Sequence, residues 1–103
     1  MITWVRTANI HDGKINEAFE WAAKVASYIN KKFDGANVQV LRNVGGPMYQ
    51  VHWVGTHDSL AEFERQWKQI ESDKGYRNLL TEIRRKGALI GTSVIDSLYE
   101  SVS

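Results

Sequence analysis

Two apolar periods alternate along this chain, and their order limits what it can fold into. Ile2 to Ile10 is rich in β-branched residues and ends at the turn His11-Asp12-Gly13, the pattern of a strand. From Lys14 the period changes. Ile15, Ala18, Phe19, Ala22, Val25, Ala26, Ile29 and Phe33 recur at three- and four-residue spacing, which predicts one amphipathic helix ending at Asp34-Gly35. Trp21 and Tyr28 lie off that stripe and share a second helical face. Val38–Val44 and Met48–Val54 read as the second and third strands, joined by a tight hairpin connection at Gly45-Gly46-Pro47.

Ser59, with Glu62 three residues on, has the capping-box spacing that opens a helix. Its buried stripe is Leu60, Phe63, Trp67 and Ile70. Ser72-Asp73-Lys74-Gly75 should break or bend the helix, and a further helical stretch then carries Tyr76, Leu79, Leu80 and Ile83 to a stop at Gly87. Thr92 to Val102 is the last strand. The order strand, helix, strand, strand, helix, strand predicts an α+β chain. Its two right-handed crossovers give a ferredoxin-like βαββαβ sandwich, an antiparallel four-stranded sheet with both helices on one face. Residues 1–103 form a single domain. The sheet's other face would then be bare, an apolar patch on the order of several hundred Å², which a second copy is the simplest way to cover. A homodimer is expected.

Composition removes several classes of function. There is no cysteine, so disulfides, thiolate nucleophiles and thiolate metal sites are excluded. Net charge is +1, and the densest basic run, Arg84-Arg85-Lys86, ends a helix, where the dipole favours cations. It is read as a helix terminus and not as a nucleic-acid surface. No apolar run approaches the ~18 residues of a membrane span, and the first residues lack a signal-peptide pattern, so no membrane partner and a cytoplasmic location are expected.

Arg6-Thr7 ending the first strand, with Asp12-Gly13-Lys14 opening the helix, carries a family likeness. So does the stretch from Trp53 through Asp58-Ser59-Leu60-Ala61-Glu62-Phe63 to Asp73-Lys74-Gly75-Tyr76. Over nearly its whole length the chain resembles the dimeric α/β-barrel superfamily, which includes NIPSNAP proteins and antibiotic-biosynthesis monooxygenases. The resemblance implies two protomers joining their sheets into a barrel, with a ligand cavity in each. It also implies activities ranging from cofactor-free oxygenation of aromatic polyketides to haem degradation.

Few residues bear chemistry. His52, inside the third strand, is the candidate acid or base; its alternatives are a satisfied core histidine or a solvated one. His11 and His57 precede helices and are expected at the surface. No pair of histidines has metal-ligand spacing; haem ligation by a single histidine stays open, but nothing in the sequence demands a metal or another cofactor. Arg6 shares a face of the first strand with Trp4, Ala8 and Ile10. A guanidinium there needs an anion, either Asp96 or Glu100 of the last strand or a ligand carboxylate. Arg42 raises the same question nearer an edge. With a sheet order of 4-1-3-2, Arg6 and His52 would share one face with Trp4, Met48 and Gln50. Trp67 and Phe63, with Trp21 and Tyr28, would wall the same cavity or simply pack in the core. Gly45-Gly46 lacks phosphate-loop spacing, and Ser93, Ser97 and Ser101 have no triad partners.

Three functions follow as expectations. The first is a homodimer binding an amphipathic molecule, such as a fatty or aromatic acid, through Trp4, Arg6, Met48, Gln50, His52 and Trp67. The second is a cofactor-independent monooxygenase on phenolic or polyketide-type substrates, with His52 catalytic. The third is a structural or regulatory dimer without a ligand.

Overall fold

The computed structural model describes all 103 residues, Met1–Ser103. Strand β1 (Ile2–Ile10) leads into helix α1 (Ile15–Lys32), then β2 (Gln39–Arg42) and β3 (Gln50–His57). Helices α2 (Leu60–Glu71) and α3 (Lys74–Lys86) follow, and β4 (Leu89–Glu100) closes the chain. The strands form one antiparallel sheet in the order β2-β3-β1-β4. That is the expected ferredoxin-like arrangement, with the second helical segment divided in two.

The division has a local cause. Ser72 ends α2, and the Asp73 carboxylate accepts the Tyr76 backbone N–H at 2.9 Å, which starts α3 as a new helix. At the other end of α2, Ser59 Oγ accepts the Glu62 N–H at 3.2 Å. Only half of the capping box forms, because the Glu62 carboxylate turns to Arg65 at 2.8 Å.

Strand boundaries move from those read in the sequence. The tight hairpin expected at Gly45-Gly46-Pro47 is instead a loop spanning residues 43–49, so β2 stops at Arg42 and β3 starts at Gln50. Asn43 organises this loop by donating to the Gly45 carbonyl at 3.1 Å and reaching His52 at 2.6 Å. β4 starts three residues earlier than Thr92, because Leu89 and Ile90 pair with Ile10 and Asn9 ahead of a register shift between Thr7 and Asn9. That irregularity bends the strand as a bulge does.

The core lies between sheet and helices. Trp4, Ala8 and Ile10 of β1 and Val51 and Trp53 of β3 meet Ala18, Trp21, Ala22, Val25 and Ile29 of α1. The alanines let α1 sit close enough for the Trp53 indole to donate to the Ala22 carbonyl at 3.3 Å. Trp21 donates to the Leu79 carbonyl at 2.9 Å, which ties α1 to α3. The aromatic face of α1 is thus accounted for: Trp21 and Tyr28 both turn toward α3.

Candidate functional site

Period-two alternation places Trp4, Arg6 and Ala8 on the helix side of β1, and this makes Arg6 the one charged side chain of that row. Its side chain is 20% exposed. Asp96 lies directly opposite on β4 and accepts from Nε at 2.7 Å and from Nη2 at 2.8 Å, a bidentate pair. Nη1 donates to the Tyr76 hydroxyl at 3.3 Å. The guanidinium also lies 4.8 Å from the Trp67 ring centre and 5.5 Å from that of Trp4. Burial alone would lower the Arg6 pKa. The Asp96 hydrogen bonds, the electrostatic effect of the Tyr76 hydroxyl and the Asp96 charge outweigh it and raise the pKa above the ordinary arginine value.

Three depressions meet at this residue. One runs under Trp67 and Tyr76 among Trp4, Trp21 and Trp53. A second, of about 330 Å³, opens toward β4 between Leu80, Ile83, Leu89 and Val94. A third, of about 440 Å³, opens outward past Glu71 and Arg77. Together they make a groove between helices and sheet that is apolar except for Arg6 and its partners and the charges at its rim. The first depression holds only about 40 Å³, and most of the room lies in the other two.

The sequence expected Arg6 and His52 to share a face, and the register corrects this. His52 pairs with Thr7, not with Arg6, so it stands on the opposite side of the sheet. There its Nδ1 lies 2.7 Å from Thr7 Oγ1 and its Nε2 2.6 Å from Asn43 Oδ1. Gln50 is on that same open face, donating to Asn9 at 3.2 Å. Met48 is in the β2–β3 loop and 54% exposed. Of the residues proposed as one pocket, the structure therefore assembles Trp4, Arg6 and Trp67, and separates Met48, Gln50 and His52 from them. Trp21 joins the groove wall, whereas Phe63 lies in a neighbouring crevice and Tyr28 bonds to Asp73.

His57, expected at the surface, is half-buried on the helix side. Its Nε2 meets Gln66 Oε1 at 2.8 Å, its ring stands edge-on to Phe63, and its Nδ1 is buried without a partner. Sequence reasoning left Tyr76 and Leu80 out of the site. Tyr76 stands in the first turn of α3, and the break at Ser72-Asp73-Lys74-Gly75 was the signal for that turn. No group of three or more His, Asp or Glu side chains is placed to hold a metal ion.

No protein-family model matches the sequence, and no curated protein sequence matches it. Solved structures do match in shape. A NIPSNAP domain protein from Burkholderia xenovorans superposes with a TM-score of 0.81 at 15% identity, covering 100% of this chain and 96% of that one. A NIPSNAP family protein of unknown function from Agrobacterium tumefaciens gives 0.77 at 17% identity, with 98% and 87% covered. SnoaB, a cofactor-independent oxygenase from Streptomyces nogalater, gives 0.70 at 16% identity, with 99% and 93% covered. The chain carries the ferredoxin-like fold of these proteins. At such identities the likeness concerns the ferredoxin-like fold and not the chemistry, which has to be argued from the groove itself.

Proposed function

We propose that this protein is a homodimer that binds a largely apolar small molecule in the groove between helices and sheet, with Arg6 at the ligand's polar end. The observation that carries the reading is the Arg6 guanidinium, set against two indole rings, where depressions walled mainly by apolar side chains meet, with Arg84 on the wall of one. Trp4, Trp21, Trp53, Trp67 and Leu80 supply the apolar wall. Such a mixture orients an amphipathic ligand by one polar contact and holds it by area.

The dimer is supported by the open sheet face. It carries Thr3, Val5, Thr7 and Asn9 of β1, Gln39 and Leu41 of β2, Gln50, His52, Val54 and Thr56 of β3, and Ile95, Ser97 and Tyr99 of β4. None of these is Asp, Glu, Lys or Arg, although 24% of the chain is. A neutral face is complementary to a copy of itself, as a two-fold interface requires.

Native mass spectrometry of freshly purified protein tests both halves. A dimer carrying small-molecule mass that denaturing solvent releases is the expected result. A monomer removes the dimer. A bare dimer, unaltered by added amphiphiles, removes the ligand and leaves the structural dimer standing. An oxygenase reading draws on the likeness to SnoaB alone. His52 lies outside the groove, so oxygen consumption with a phenol, lost in Arg6→Ala and retained in His52→Ala, is the result that would favour it.

A further inference from the structure

We infer that the groove takes an amphipathic acid, its carboxylate held by Arg84 in the depression that opens toward β4. This rests on the binding reading above and adds to it the charge of the head group and the residue that selects it. Arg6 and Arg84 are the charged side chains in the wall of that depression, and no Asp or Glu is among the rest. Arg6 is already matched, since Asp96 holds it through two bonds of 2.7 and 2.8 Å. Arg84 makes no ion pair. Glu82, two residues before it, is taken by Lys24 at 3.1 Å. This end of the groove therefore carries one positive charge without a counterion.

The outward depression does not. Arg77 shares its wall with Glu71, and the two charges oppose one another for any ion that enters. The C-terminus of α3 carries a partial negative charge of about half a unit, which works against an anion nearby. Arg84, Arg85 and Lys86 all fall in that last turn, none of them paired, and together they outweigh it. The Gly87 N–H also caps the Ile83 and Arg84 carbonyls at 3.1 and 3.3 Å, which satisfies part of that end.

The same depression has a place for the apolar body. Trp21, Trp53, Leu80, Ile83, Leu89 and Val94 wall most of its volume of about 330 Å³. Arg84 is exposed, so a carboxylate on it keeps part of its water while the body gives up its own to the wall. The free guanidinium offers a planar fork that matches two carboxylate oxygens. Arg6 can assist from the inner side. Of its five N–H groups Asp96 takes two and Tyr76 one, which leaves two.

The test is calorimetry at pH 7.5 and low salt, where the acids are ionised and exposed charges are least screened. The probes are 2-naphthoate against 2-naphthamide and octanoate against octanamide, and the pair that binds more tightly is read. The wild-type protein should bind the acid at least about fivefold more tightly than its amide, the scale of one exposed, charge-assisted contact. Arg84→Gln should bring that ratio to about one while the amide binds as before. Arg85→Gln removes the same charge from the same helix end but lies outside the depression, and should keep the preference. A smaller wild-type ratio, a preference that survives Arg84→Gln, or one lost equally in Arg85→Gln overturns the inference and leaves the groove as a binding site. Failure of all four probes overturns the groove reading beneath it.

Discussion

Arg6 shows how one side chain can carry a site and still be held by ordinary packing forces. The planar guanidinium meets Trp67 and Trp4 and forks onto Asp96. A lysine keeps the charge but loses both the plane and the fork. Arg6→Lys should cost about 1–2 kcal/mol of stability, from the lost bidentate geometry and ring contact. Because Asp96 is well exposed, water compensates part of the loss and keeps the cost at this level. Thermal unfolding should show a fall of roughly 4–14 °C for a domain of this size; an unchanged midpoint would mean the contacts add nothing. Much of this was legible: alternation placed Arg6 among Trp4 and Ala8, and Asp96 was one of two named partners. The supposed meeting of Arg6 with His52 was not sound, and the sequence held the warning. Val51 and Trp53 flank His52 and are both apolar, so they claim the core and turn the histidine outward.

Between α2 and α3 the decisive contact comes from a third element. Tyr28 of α1 donates to Asp73 at 2.6 Å, and Lys32 pairs with the same carboxylate. A Cβ on Gly75 would lie 2.0 Å from the Tyr28 hydroxyl oxygen, so the glycine is what lets α1 approach the first turn of α3. On propensity alone Gly75→Ala would gain about 1 kcal/mol. The clash should win, for a net loss of about 1–3 kcal/mol. In a Tyr28→Ala background the same substitution should become neutral or stabilising, and a double-mutant cycle in denaturant reads the coupling. Additive effects would show that the two residues do not compete for space. Hydrogen bonds from Lys32 and Tyr28 hold the Asp73 pKa down to about 2, below the ordinary carboxylate value. A depressed carboxylate stabilises the fold above its unfolded pKa and loses that contribution as pH falls toward 2. Asp73→Asn should therefore flatten the acid limb of a stability-against-pH curve between about pH 4 and 2, and an unchanged limb would count against this assignment. The break itself could be read from Ser72-Asp73-Lys74-Gly75. The reach of Tyr28 could not, because it depends on where α1 crosses α3.

At the scale of the whole molecule, the two faces of the sheet differ in what they present. The helix side holds the core and the groove, while the open side holds neutral polar and apolar residues with no carboxylate, lysine or arginine among them. Element order alone predicted that this face would be bare, but its lack of charge emerges only once register assigns each residue to a side. Val5 and Val54 are directly paired on it, within the β1–β3 ladder. If a second copy covers this face, a lysine at Val54 would be buried opposite residues that offer no counterion, and two-fold symmetry would repeat the cost. Val54→Lys should consequently run in light scattering at the 11.8 kDa of one chain, while the wild type runs at twice that mass. On the monomer the lysine would stand in water, so its circular dichroism should stay that of the folded wild type. A variant that keeps the doubled mass would move the interface elsewhere, with the exposed edge strand β4 and its Val94 and Leu98 the next surface to examine. The groove opens on the side away from Val54, so the monomeric variant should still bind the small molecule that the wild type carries. Loss of binding together with loss of the dimer would instead mean that the second copy shapes the groove, because helix-side residues of one chain would then depend on contacts made across the sheet.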